Sequence, residues 1–294
     1  MPVRHYRYFS PQDAARMGKL QLFAREVVEG VITGMHKSPH RGFSAEFSEH
    51  REYVPGDEVR HMDWKVFGRS DRYYIKLFEQ ETNLRATLVL DNSNSMRFGN
   101  KHEYARRITA CLAYLLARQQ DLAGLCAVDE SIRIELPPAS TPAHLDRLFR
   151  ELETLPAGTT TTMAQRLHEL AERLPRRGML IIISDFWMES DELLRSLQHL
   201  RYRKHQAILI HLLDQSELTL EGPAFLRQIT LEDLESHERL AIEPSEIREV
   251  YQKQVKAHIA ALKTGCLNCS SEYQALDVAT PYDKGIIEFL AQRR

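Results

Sequence analysis

Glycine and proline are scarce in this chain, at 13 and 12 of 294 residues. That is too little for collagen-like or Pro/Gly-rich low-complexity architecture. Four cysteines in so long a chain do not make a disulfide framework. Neither sign of charge is in excess: 39 Lys and Arg against 41 Asp and Glu leave a net charge of −2. Such a balance does not suit a protein that works by neutralising phosphates, so nucleic acid is not an expected partner. Long hydrophobic runs are missing as well. The apolar stretch that opens at Ile108 is broken by Arg118, well short of the ~20 residues a membrane span needs. Arg4 and Arg7 give a basic start with no apolar segment behind it, so no secretory signal is visible and the cytoplasm is the expected location. The chain has no Walker A loop, no Gly-x-Ser-x-Gly, no dinucleotide fingerprint and no His-Glu-x-x-His.

What is present is ordinary globular material, 43% hydrophobic and 27% charged, enough for a sizeable core. Ser10-Pro11-Gln12-Asp13 places a capping Ser before a helix-opening Pro. Behind it Ala14, Met17, Leu20, Ala24, Val27, Val28 and Val31 recur at helical spacing, which predicts an amphipathic helix to about Ile32. Residues 36–72 lack a clean period and are rich in His, Arg, Gly and aromatics, so an irregular but ordered segment with Trp64 buried is expected. From Tyr73 the pattern is regular. Strands are predicted at Tyr73–Phe78, Ala86–Leu90, Leu122–Val128, Ile132–Leu136, Met179–Ile183 and Ala207–Leu212. Helices are predicted near 101–119, 141–153, 162–173, 190–203, 245–262 and 282–292. Strands alternating with helices of this length imply an α/β, doubly wound, mostly parallel sheet. The expected division is 1–84 for the N-terminal helix and irregular segment, and 85–294 for the α/β domain.

In such a sheet, ligands bind beyond the carboxyl ends of the strands. One strand runs into Asp91-Asn92-Ser93-Asn94-Ser95 and another into Ser184-Asp185, while Thr159-Thr160-Thr161-Thr162 precede a helix. These are oxygen donors throughout. They suit a hard cation, Mg²⁺ or Mn²⁺, whereas zinc favours His or thiolate. The residues are expected on loops at the sheet edge, outside the core.

Asp91-x-Ser93-x-Ser95, a Thr opening a helix, and Ser184-Asp185 after an apolar strand together resemble the metal-ion-dependent adhesion site of von Willebrand factor A domains. The resemblance implies a metal site of Asp91, Ser93, Ser95, Thr161 and Asp185. Thr161 fits the family spacing with Met163 and Leu167, and Thr159, directly after Gly158, is its rival. The hydroxyls would bind the metal directly and the carboxylates through water, leaving one position open for a partner's Asp or Glu.

The run Arg51-Glu52-Tyr53-Val54-Pro55-Gly56-Asp57-Glu58-Val59-Arg60-His61-Met62-Asp63-Trp64 resembles the signature of the bacterial family labelled domain of unknown function 58. That resemblance implies partnership with a MoxR-type AAA+ ATPase in assembling or maturing protein complexes. Read from the residues alone, Pro55-Gly56-Asp57 is a turn. Arg51, Arg60, Asp57 and Asp63 could form ion pairs that fix the segment or present a docking surface.

Other features carry less. Cys266-x-x-Cys269 lacks two further zinc ligands at suitable spacing. Arg201, Arg203 and Lys204 end a helix, where positive charge suits the dipole. The leading expectation is a non-enzymatic, metal-dependent protein-binding module. The alternative is a Mg²⁺-dependent phosphatase-like enzyme with Asp91 as nucleophile. Against it, Ser93 stands where an acid would protonate the leaving group, and the loops 91–96 and 159–162 contain no Lys.

Overall fold

A computed structural model of the protein describes residues 24, 27, 28, 50–52, 74–76, 84–156, 158, 162–175, 177–221, 229–232 and 239–291. The expectations for residues 36–72, apart from His50–Glu52, lie outside these, as do those for Thr159 and Thr161. The chain divides into two compact units, Met1–Gly34 with Leu84–Arg294, and Met35–Asn83. In the smaller unit β1 (His50–Glu52) pairs antiparallel with β2 (Tyr74–Lys76), Arg51 opposite Ile75.

In the larger unit Ala24, Val27 and Val28 are helical, and Ala24 and Val28 are fully buried. The elements then run β3 (Arg85–Asp91), a short 3₁₀ turn at Ser95–Arg97, α1 (Lys101–Arg118), β4 (Leu122–Val128), β5 (Ile132–Ala139), α2 (Pro142–Thr154) and α3 (Met163–Arg173). They continue with β6 (Met179–Ser184), α4 (Ser190–Tyr202), β7 (Gln206–Leu213), α5 (Gln215–Thr219), β8 (Ile229–Glu232), β9 (Arg239–Ile242), α6 (Pro244–Asn268), β10 (Glu272–Asp277) and α7 (Tyr282–Ala291). The main sheet has the order β10-β7-β6-β3-β4-β5 and is parallel except for β5, which returns antiparallel to β4. β8 and β9 form a separate antiparallel pair.

The strand sequences explain their places. Every residue of β6 is buried, as a Met-Leu-Ile-Ile-Ile run between two helical layers requires. Because side chains alternate across a strand, Val89, Cys126, Leu180, Ile182 and Leu209 face a core built with α3, α4 and α6. The intervening residues, among them Leu88, Leu90, Leu125 and Ile183, are equally buried, and α1 covers that side with α2 and α7 against it. The expected doubly wound α/β architecture is therefore present. From β3 the chain goes first to β4 on one side and later to β6 on the other, so the winding reverses between β3 and β6. That reversal opens a crevice at their carboxyl ends.

Several elements differ from the sequence-based reading. α6 continues to Asn268 rather than ending near 262, β5 runs on to Ala139 rather than ending at Leu136, β1 is a short strand within the segment expected to be irregular, and α5, β8, β9 and β10 have no counterpart in the sequence pattern. Cys266 lies inside α6 and is a buried free thiol, pushed up to about 12 by burial. Arg201 and Arg203 are spent on the carbonyl oxygens of Asn268, Ala171 and Glu172. Among the described residues no helix is long and apolar enough to cross a membrane.

Truncating β6 tests the placement of this core. Ile182→Ala should lower stability to urea by about 2–5 kcal/mol, whereas Tyr202→Ala, at a position 83% exposed, should stay within about 0.5 kcal/mol.

Candidate metal site

β3 and β6 are neighbours, with Leu90 level with Ile183, so Asp91 and Ser184 end their strands side by side. The Ser184 hydroxyl donates to Asp91 Oδ2 at 2.5 Å and accepts from the Phe186 amide at 2.9 Å. Asp91 Oδ1 accepts from the Ser93 amide at 2.9 Å. This bends the chain so that the Ser93 and Ser95 hydroxyls lie 3.0 Å apart, and Ser95 donates to Asp185 Oδ1 at 3.2 Å. Four of the five residues anticipated from the sequence, Asp91, Ser93, Ser95 and Asp185, are thus linked by hydrogen bonds; Thr161 lies outside the described residues.

Neighbouring loops hold this cluster in place. The Asn92 amide donates to the Val128 carbonyl, its side-chain amide donates to the Pro156 carbonyl, and its Oδ1 lies 2.8 Å from His102 Nε2. Gly158 packs so closely that a Cβ there would overlap the Asn92 carbonyl oxygen; only glycine tolerates that approach. Just before α3, the Thr162 hydroxyl donates to the Asp129 carbonyl at 3.2 Å. Gly158 thus lies beside Asn92 and Thr162 beside the end of β4.

The expectation of residues lying outside the core is corrected by burial. Asp91 and Asp185 are each 1% exposed and Ser93 is fully buried. Asp91 is still a strand residue, the last of β3, and it is sealed in with the equally buried Ser184 and Phe186 beside it. Ser95 is half-buried and is the most accessible of the four.

Sequence reasoning missed two charged groups. Lys101, the first residue of α1, is completely buried. Its ammonium donates to Asp185 Oδ2 at 2.6 Å and to both oxygens of Glu217, on α5, at 2.8 and 3.1 Å. Glu217 also accepts from the Trp187 side chain. Burial works against the Lys101 charge, but Asp185 and Glu217 outweigh it and leave Lys101 above its ordinary value. Glu217 stays above its own, because desolvation exceeds the pull of Lys101. Among the described residues Asp91 has no basic partner. Burial, then the nearby Asp185 charge, raise it from 3.8 to about 7, against the lowering effect of its hydrogen bonds.

Among the described residues no three His, Cys, Asp or Glu side chains gather as a metal cluster; the donors here are hydroxyls with flanking carboxylates. Two hydroxyls 3.0 Å apart, beside two buried acids one of which ionises at a cost, fit a hard divalent cation. Among the described residues the cluster itself contains no imidazole or thiolate for a softer metal.

Fold and cluster together define a doubly wound α/β domain with an all-oxygen site at its switch point. The sequence profile of the family described as "Protein of unknown function DUF58" matches residues 49–261, and the chain belongs to that family. It is 28% identical over 298 residues to the uncharacterized protein Rv1480 of Mycobacterium tuberculosis, covering 97% of this chain and 90% of that one. Among solved structures it is similar to the conserved hypothetical protein BatB from Bacteroides thetaiotaomicron, with 13% identity, a TM-score of 0.44, and 71% of this chain and 98% of that one covered. It is also similar to the SpRpn10 VWA domain, with 12% identity, a TM-score of 0.39, and 69% and 94% covered.

The acid at the end of β3 has a pH signature. Between 3.8 and about 7 the native state keeps a proton that the unfolded chain has released, so stability falls as pH rises through that window. The full effect is about 4 kcal/mol. In EDTA, wild type should lose stability between pH 5 and pH 8 relative to Asp91→Asn, which cannot ionise; parallel pH profiles of urea denaturation would contradict this account.

Proposed function

We propose that this protein is a non-enzymatic, metal-dependent protein-binding module. In this reading Ser93, Ser95 and Thr161 (with Thr159 as the rival) hold Mg²⁺ or Mn²⁺ through their hydroxyls, and Asp91 and Asp185 act through water. The observation that carries it is the hydrogen-bonded set Asp91–Ser93–Ser95–Asp185 at the switch point, where Asp91 is buried with no basic partner among the described residues. A bound cation supplies a Lewis-acidic position that a partner carboxylate can complete. Neutral hydroxyl ligands leave most of its charge uncompensated, which favours an anionic sixth ligand. The protein's own residues contribute fixed donor positions, and the burial of Asp91, Ser93 and Asp185 limits their exposure to bulk solvent. The resemblance to the domain of unknown function 58 signature supplies the partner: a MoxR-type AAA+ ATPase or its substrate, offering an Asp or Glu, in assembly or maturation of protein complexes.

Lys101 favours the second reading, a phosphatase-like enzyme with Asp91 as nucleophile, because it brings a cation that the site loops themselves lack. Its ammonium is nonetheless shared between Asp185 and Glu217, and Ser93 cannot serve as the acid for a leaving group at neutral pH. A screen of generic phosphate monoesters with Mg²⁺ separates the two, and the binding-module reading expects no Asp91-dependent turnover.

Capture of a purified MoxR-type ATPase should succeed in Mg²⁺ or Mn²⁺ and fail in EDTA. Asp91→Ala and Asp91→Asn should abolish it, while Ser93→Ala and Ser95→Ala should each weaken it, since each removes one oxygen from a cation that takes six. Wild type should also gain melting temperature with Mg²⁺ and Asp91→Ala should not. Capture that survives both EDTA and Asp91→Ala removes the metal from the mechanism.

A further inference from the structure

The geometry points to Lys101 and Glu217 as the pair that sets how tightly this site holds a divalent cation, Lys101 weakening the hold and Glu217 strengthening it; this rests on the metal reading above. The two Asp185 oxygens face different neighbours. Oδ1 accepts the Ser95 hydroxyl at 3.2 Å, and Oδ2 accepts the Lys101 ammonium at 2.6 Å. The ammonium therefore stands one carboxylate away from the hydroxyl pair. Its side chain is 0% exposed and that of Asp185 is 2% exposed, so little water screens the charge.

The charges can be counted. Ionised Asp91, Asp185 and Glu217 with protonated Lys101 sum to −2. Neutralising Lys101 alone makes the site −3, neutralising Glu217 alone makes it −1, and neutralising both restores −2. A divalent cation should follow these sums. Each unit charge held within a few ångströms in a poorly screened interior is worth about tenfold in affinity or more. An ion pair with only a structural role behaves otherwise: removing either partner leaves the other uncompensated, and both losses act in the same direction. Glu217 sits on α5, a five-residue helix against α6, and also accepts from Trp187. Cation affinity is thereby tied to the position of α5.

The test is a calorimetric Mn²⁺ titration of the full chain as wild type, Asp91→Ala, Lys101→Met, Glu217→Gln and the Lys101→Met/Glu217→Gln double variant. Lys101→Met should bind about tenfold tighter than wild type and Glu217→Gln about tenfold weaker, with the double variant within about threefold of wild type. If Lys101→Met alone fails to fold, the double variant must still bind about tenfold tighter than Glu217→Gln. Equal affinities of wild type and the three Lys101 and Glu217 variants, or both single variants shifting the same way, overturn the charge-setting role and leave the metal reading intact provided Asp91→Ala abolishes binding. Wild type and Lys101→Met that both bind Mn²⁺ no better than Asp91→Ala overturn both.

Discussion

A carboxylate buried at the end of the central strand has to be accommodated, and most of the local geometry results from how this chain does it. Asp91 is almost wholly removed from bulk solvent, and its two oxygens are met by a backbone amide two residues on and by the hydroxyl of the neighbouring strand. The first bond turns the chain after β3 so that Ser93 and Ser95 face each other. The second joins the ends of β3 and β6 beyond the last ladder pair. Ser184 accepts from the Phe186 amide as well, which fixes the turn that presents Asp185. Phe186 itself takes a φ of 48°, a left-handed conformation unusual for a bulky residue; strain of this kind gathers where surrounding contacts over-determine a functional turn.

The supports are drawn from several crossovers. Asn92 reaches Val128, Pro156 and His102 at once, so the β3 loop, the end of β4, the loop before α3 and the start of α1 meet at one residue. Lys101 adds α5 through Glu217. A cluster assembled this way is positioned by several elements rather than by one loop, which is what the proposed hydroxyl-based cation site would need if binding is not to be spent on ordering its ligands. The same arrangement separates the two roles of charge. Among the described residues Asp91 has no basic partner, while Asp185, bonded to the Ser95 hydroxyl through its other oxygen, shares the Lys101 ammonium with Glu217.

Much of this was legible in the sequence where pattern and chemistry coincide. The run Met179–Ile183 reads as a strand of the kind buried on both faces, and with Ala86–Leu90 it puts Asp91 and Asp185 at strand ends on one sheet edge; that the two strands are neighbours comes from the structure. Lys101 was not legible. It opens an amphipathic helix beside His102 and Glu103, where a lysine is usually solvated, and its burial depends on Glu217 from more than a hundred residues away. Glu217 in turn sits on Gln215–Thr219, too short to show a helical period. β10 escaped notice because only Gln274 and Leu276 of its six residues are buried, and one of these is polar. α6 was cut short because Gly265 reads as a helix end, yet it lies in mid-helix against Leu194, where a Cβ would overlap that side chain.

The central claim is that the switch-point hydroxyls coordinate a cation. It is tested most directly by a crystal structure of the protein grown or soaked with Mn²⁺, using anomalous scattering at the manganese edge. The account predicts an anomalous peak within direct coordination distance of both Ser93 Oγ and Ser95 Oγ, with Asp91 and Asp185 behind intervening waters and Lys101 still bonded to Asp185. A well-ordered switch point with no peak there, or a peak bound only at another surface, would contradict it.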